Sequence, residues 1–470
     1  MERYPKDSSR NAQKDGPQKL VIILLVCVCG LAVLLSFLPK VDHPADSTQS
    51  PTNSPRQSQI ASRKHRPGLV YDSKSDPVEK QTAEEQVAAR LTAFNKNRRE
   101  TARRYADKLR IAVPTDLEKF FDAADRGNWE EIDRLYKELQ KKRIDPNYPD
   151  AEALQKLFPT AQETWGAHGS AHSWPAQDLL DYGRDVLGSL KPDMVYLGGT
   201  DPGRFIPTFL NETSGGEPHI VLTQNALADG IYLDYVNFLY GDRMQTVGAE
   251  DSQMAFKQYL EDAAKRFAHD QQFPDEPKQM RPGENYKNEE GRVQVSGQPA
   301  VMSINELLLQ KLQEKNPGLS FGMEESFSLP STYKGAVPLG PLMELGAENA
   351  TAPLTSSMAD SSLNYWRDRV SQLTSAPEFD ASQESGRAYA HMITAQGNLF
   401  SSQNFSTEAE QAYRLAQQLT GKYDLEPTGK LYDLLMRNGR AADATTVLTQ
   451  FQQTYPDKAD AIQKLVNQKR

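Results

Sequence analysis

Cysteine is almost missing from this chain: among 470 residues only Cys27 and Cys29 are cysteines, and both lie in one apolar run. No disulfide framework can staple the remainder. The scarcity fits an oxidising compartment, since no free thiol is left to scramble, without demanding one. Concentrated positive charge is also missing. Lys and Arg total 54 against 63 Asp and Glu, and the net charge of -9 is spread along the chain. With no domain-wide basic surface to neutralise phosphates, a nucleic-acid partner is not expected. The apolar fraction of 38% is below the globular average, as in a chain that is partly linker and partly thin helical repeat. The compact catalytic signatures H-E-x-x-H, G-x-S-x-G, C-x-x-C and the P-loop do not occur. No cofactor is expected.

What is present begins with the one long apolar run, Leu20 to Leu38, nineteen residues without a charge. At 1.5 Å per residue it reaches across roughly 30 Å of hydrocarbon. It ends in Ser36-Phe37-Leu38-Pro39 rather than a small-x-small exit, so it reads as a retained span, not a cleaved signal. Arg3, Lys6, Arg10, Lys14 and Lys19 precede it, which by the positive-inside rule leaves the N-terminus in the cytoplasm and the bulk of the chain outside. The expected location is a bacterial inner membrane, single-pass, with a periplasmic body. Composition then divides the chain into a cytoplasmic N-terminus (1–19), a transmembrane helix (20–38), a disordered linker (39–80), a helical region (81–190), an α/β domain (191–346), a connecting segment (347–387) and tetratricopeptide-like helical repeats (388–470).

In the helical region Thr82-Ala83-Glu84-Glu85 is a capping box that opens a long helix. Val87, Leu91, Phe94, Ala102, Tyr105 and Leu109 form its apolar stripe, and the basic remainder, Arg98 included, reads as a solvated face. Pro114 stops it, and two helices follow about a Gly127-Asn128 turn. His168 and His172 stand four apart, which on a helix would pair them for a metal, but Gly166 and Gly169 argue against a helix there and no metal is expected.

Between Lys191 and Leu345 the period changes. Short apolar runs at Met194–Leu197, His219–Thr223, Arg292–Val295 and Leu319–Met323 read as strands, and helical patterns separate most of them. Alternation of this kind predicts an α/β fold with a small, mostly parallel sheet, whose usable crevice lies beyond the strand C-termini. Thr200, Asp201, Arg204, Gln224, Asn225, Asp229, Glu324 and Glu325 all fall on strand exits and form the candidate ligand-binding cleft. Arg204 and the helix N-terminus beside it favour an anionic or hydroxyl-rich group. The competing reading consumes these groups locally: Asp201 as a cap, Arg204 paired with a carboxylate such as Glu324, Asn225 satisfying loop backbone. The proline-rich stretch from Asp270 to Pro299 reads as a long lid or mobile insertion.

In the tail, Gly397, Phe400, Ala409, Tyr413 and Ala416 fall in a tetratricopeptide frame. Leu431, Leu435, Gly439, Ala444, Leu448, Phe451 and Pro456 repeat it. Two such units are too few to stand alone and are expected to stack on the α/β part, offering a surface for a partner protein.

The blocks LGGTDPGRFIPTF, VLTQNALADGIYLDYVNFLYGD, AEDSQMAFKQYLEDA, VQVSGQPAVMSINELL and KNPGLSFGMEESFSL resemble a family of uncharacterised bacterial membrane proteins. More distantly, the region resembles the extracytoplasmic C-terminal part of multi-pass proteins related to protein O-mannosyltransferases, which pair a strand-loop-helix domain with tetratricopeptide repeats. In those relatives glycosyl transfer is assigned to the multi-pass portion, which this single-span chain lacks, so the resemblance does not carry the activity over. The expected function is a tethered, non-catalytic binding or scaffold protein contacting a partner protein or glycoconjugate. The alternative is an enzyme of carbohydrate chemistry, with Asp201, Glu324 or Glu325 as acid and base.

Overall fold

The computed structural model describes residues 26–28, 31–33, 81–215, 218–289, 292–346, 354–377, 379–381 and 383–467. The expected linker at 39–80 lies outside them, as does most of the expected span at 20–38. Of that span only Val26–Val28 (β1) and Leu31–Val33 (β2) are described, as an antiparallel pair. No helix among the described residues is long and apolar enough to cross a membrane.

The helical region opens with α1 (Ala83–Leu109), capped as its sequence predicts: Thr82 accepts from the Glu85 amide and Glu85 answers to the Thr82 amide. Pro114 precedes α2 (Thr115–Arg126), and Gly127, at φ 69°, turns the chain so that Asn128 caps α3 (Trp129–Lys142). Then come α4 (Ala151–Ser173) and α5 (Ala176–Leu187). Contrary to expectation, α4 runs straight through Gly166 and Gly169. Both glycines serve packing: a Cβ on Gly166 would lie 2.2 Å from the Phe205 ring, and one on Gly169 3.0 Å from Trp129.

The middle of the chain gives β3 (Val195–Gly198), α6 (Asp201–Glu212), β4 (Val221–Thr223), α7 (Gly230–Tyr240), α8 (Ala249–Gln272), β5 (Asn285–Glu289), β6 (Arg292–Ser296), α9 (Gln298–Lys315), β7 (Phe321–Met323), β8 (Val337–Leu339) and β9 (Leu342–Glu344). The main sheet has order β4-β3-β7-β9-β8 and is mixed rather than mostly parallel. β3 pairs parallel with β4 and β7, while β9 runs antiparallel to both β7 and β8. A second correction concerns the expected third strand: β6 stays out of this sheet and pairs with β5 in a separate hairpin. The stretch read as a lid is therefore partly ordered as that hairpin, and its Glu284 is gripped by Tyr259 and Arg266 of α8.

Central β3 is covered on both faces, which is why its run is apolar at every position. Met194 and Tyr196 enter the core shared with α5, α6 and the C-terminal helices, and Val195 and Leu197 enter the core beneath α8 and α9. A third core joins α1 to α4 and takes Tyr235 from α7.

The connecting segment holds a helix of its own, α10 (Ser356–Ser375). Behind it are α11 (Glu384–Ser402), α12 (Ser406–Thr420), α13 (Glu426–Arg437), α14 (Ala441–Thr454) and α15 (Ala459–Asn467). Gly397, Phe400, Ala409, Tyr413 and Ala416 are buried in the α11–α12 hairpin, and Leu431, Leu435, Ala444 and Phe451 in the α13–α14 hairpin. This tail stacks on the sheet. Gln396 of α11 donates to the carbonyls of Gly340 and Leu342 at 2.7 and 3.1 Å, and Gln403 donates to those of Tyr333 and Ala336.

Candidate functional site

The β3 exit is shaped by one buried carboxylate. Glu324, 1% exposed at the end of β7, accepts the amides of Gly199 and Thr200 at 2.7 and 2.8 Å and the Thr200 hydroxyl at 2.7 Å. Thr200 in turn N-caps α6, accepting from the Gly203 amide at 3.0 Å. The close approach needs glycine at position 203, where a Cβ would sit 2.1 Å from Glu324 Oε2. Pro202, in the first turn, loses no hydrogen bond there.

Beyond this turn opens a cavity of about 300 Å³, at the C-terminal ends of the parallel strands. Thr200, Asp201, Arg204, Asn225 and Asp229 line it together, so five of the eight sequence-derived residues share one cleft. The other three do not. Glu324 is committed beneath the loop as described. Gln224 is fully buried, its Oε1 accepting from the Ser326 amide and hydroxyl at 3.1 and 3.2 Å, and its Nε2 has no hydrogen-bond partner within the protein.

Glu325 faces the opposite way, towards the helical tail. It accepts from the Tyr333 hydroxyl at 3.0 Å and from Asn398 of α11, while His391 meets its backbone carbonyl at 2.7 Å. Burial pushes its carboxyl up to about 7 against the pull of these partners. The chain leaving β7 thus sends the adjacent Glu324 and Glu325 to opposite sides, one beneath the β3 exit and one towards α11.

Asp229 caps α7, accepting from the amides of Ile231 and Tyr232 at 2.9 and 3.4 Å. Burial raises its pKa, opposed by those amides and by the charges of Arg143 and Arg204. Arg143 is a wall residue that sequence reading missed. At the end of α3 it reads as an ordinary cation complementing a helix C-terminus, yet it stands 4.1 Å over the Phe158 ring and lines the cavity. Burial lowers its pKa, and its Nε is buried with no hydrogen-bond partner within the protein. Arg204 lies over Phe205 at 4.5 Å. Among the described residues neither arginine makes an ion pair, so the expected Arg204–Glu324 pairing does not form. The remaining wall is apolar, with Phe158, Pro159, Ile231, Val301, Met302 and Phe327.

His168 and His172 do not form a metal site. His168 Nε2 lies 3.0 Å from Asn95 Oδ1, and His172 stacks on Trp129 at 5.3 Å. No cluster of metal-binding side chains occurs among the described residues.

Comparison with known protein families, with curated proteins and with solved structures finds no match to this chain.

Proposed function

We propose that this protein is a membrane-anchored, extracytoplasmic binding or scaffold module of a bacterial envelope, whose cleft holds a small anionic ligand without transforming it. The observation that carries the reading is the pair of guanidinium groups, Arg143 and Arg204, which enter one cavity without ion-pair partners among the described residues. Elsewhere in the fold, half-buried arginines such as Arg369 and Arg266 are matched to carboxylates. Both guanidinium groups are half-buried. Asp201 and Asp229 share the cavity without pairing to them directly, Asp229 being engaged by the α7 amides. An anion touching both guanidinium groups therefore supplies the direct charge-assisted contacts they lack. The N-terminal end of α6 adds a favourable dipole to the same space.

The enzyme alternative needs two carboxylates free to exchange protons across a substrate. Of those expected for the task only Asp201 lines the cleft, Glu324 being occupied by loop donors and Glu325 lying on the other side of the β7 exit. The second carboxylate there, Asp229, is engaged as the cap of α7. That arrangement favours binding over turnover. The helical tail, two hairpins docked on the sheet, supports the repeat reading and a partner protein as a second contact. The resemblance to the extracytoplasmic part of O-mannosyltransferase-related proteins supports placing the body outside the membrane, with glycoconjugates among the anion-bearing ligands.

Calorimetric titration of the detergent-solubilised full chain with inorganic phosphate tests the cleft. Arg143→Ala and Arg204→Ala should each weaken binding by roughly 10- to 100-fold, as loss of a charge-assisted contact does. Phosphate heats that are absent, or equal in both variants and the parent, would refute it.

A further inference from the structure

Resting on that reading of the cleft, we infer that its ligand is a compact amphipathic anion: a phosphate or carboxylate head joined to a small apolar body. The lining of the cavity combines two chemistries. Arg143, Arg204, Asp201 and Asn225 come from the ends of α3 and β4 and from the first turn of α6. Beside them in the same lining, Phe158 and Pro159 of α4, Ile231 of α7, Val301 and Met302 of α9, and Phe327 after β7 present carbon. A bare inorganic anion would satisfy the arginines and leave the open part of this apolar wall, chiefly the half-buried Ile231 and Phe327, uncovered, while Phe158, Pro159, Val301 and Met302 are already largely buried. An apolar body beside the charged head removes both costs at once, each square ångström of buried carbon contributing about 25 cal/mol.

Size sets the upper limit. About 300 Å³ is the low end for small-molecule sites, enough for a ring or a short branched chain and too little for a long acyl tail. The rigid parts of the wall favour a fixed body. Arg143 lies over Phe158 and Arg204 over Phe205, contacts that narrow the positions of both side chains before the ligand arrives. The apolar wall is drawn from four separate elements, and Val301 and Met302 are anchored in the core beneath the sheet.

The experiment compares inorganic phosphate, phenyl phosphate and phosphatidic acid on the full chain in phosphatidylcholine nanodiscs. Phenyl phosphate should bind about tenfold tighter than inorganic phosphate, or more, and nanodiscs that also contain phosphatidic acid should not displace it. In Phe327→Ser and Met302→Gln the ratio of the two affinities should fall towards one. Equal binding of phosphate and phenyl phosphate would overturn the apolar body while leaving the anion site standing. Displacement by phosphatidic acid would assign the head to a lipid and overturn the compact ligand. Binding of none of the three would remove the anion site itself.

Discussion

Glu324 illustrates how one side chain can look catalytic in a sequence and be structural in the fold. Three donors converge on its carboxylate, and removing it leaves them buried and unpaired. Glu324→Ala is therefore expected to cost about 3 kcal/mol, and Gly203→Ala about 1 to 3 kcal/mol by crowding the same oxygen. Urea unfolding should show both as lowered midpoints at unchanged slope. His168 gives a pH signature. Burial lowers its pKa from 6.5 to about 4. The unfolded chain takes up the proton first, so this contribution is complete above pH 6.5 and is lost as pH falls towards 4, up to about 3 kcal/mol. Glu325 has the opposite sign. Its folded pKa is raised from 4.5 to about 7, so its contribution is complete below pH 4.5 and lost as pH rises through 7. Unfolding free energies measured from pH 4 to 8 should flatten at the acid end in His168→Gln and rise at the alkaline end in Glu325→Gln. At this scale the cleft positions of Thr200, Asp201 and Asn225 were legible because strand exits are marked locally, although Thr200 caps α6 and not Asp201 as the competing reading had it. Arg143 was not, since nothing near it in the chain reveals that Phe158 and the α6 turn lie beside it.

At the scale of elements, α1 was legible in its start, its stripe and its length. Its solvated face was misjudged. Arg98, assigned to that face, is 2% exposed and pairs with Glu163 of α4 and Glu212 of α6, with the Tyr235 hydroxyl of α7 at 2.7 Å. Four helices thus meet on one guanidinium. Burial raises the pKa of Glu212, although Arg98 opposes the shift. Replacing Arg98 by Met strands two buried carboxylates and should cost about 3 to 5 kcal/mol. Because protonation relieves the stranded Glu212, whose pKa burial already raises, the deficit between parent and variant should be larger at pH 8 than at pH 5, which thermal or urea unfolding at the two pH values will show. The helix through Gly166 was missed for a related reason. Propensity disfavours glycine inside a helix, but Phe205 and Trp129 need the space that its missing Cβ leaves. Likewise the period-2 pattern of β6 identified a strand without identifying its partner, which is β5 and not β3.

For the whole molecule, the expected topology makes a direct prediction: protease added to intact spheroplasts should digest the chain beyond the apolar run and spare only the N-terminal piece, as an immunoblot against each end would report. A body protected from protease would place it in the cytoplasm. The helical tail should not be dispensable for solubility. Truncation after Thr420 would uncover buried Ala416 and Leu419, and the product is expected to aggregate, as light scattering would detect. The sequence by itself determined the features set by neighbours along the chain: the capped helices, the strand runs, the hairpin frame of the tail, the Gly-rich turn after β3 and an apolar run long enough to span a bilayer. Tertiary structure alone decided the sheet order, the separate β5–β6 hairpin, the burial of Arg98, the opposed facing of Glu324 and Glu325, and the entry of Arg143 into the cleft. Caps, turns and periodicity involve residues within a few positions of one another, so local chemistry encodes them. Apart from the β5–β6 hairpin, whose pairing is local but whose exclusion from the main sheet is not, the others depend on contacts between segments more than ten to over a hundred residues apart, where the cost of burying a charge or a ring is settled by what the fold brings next to it.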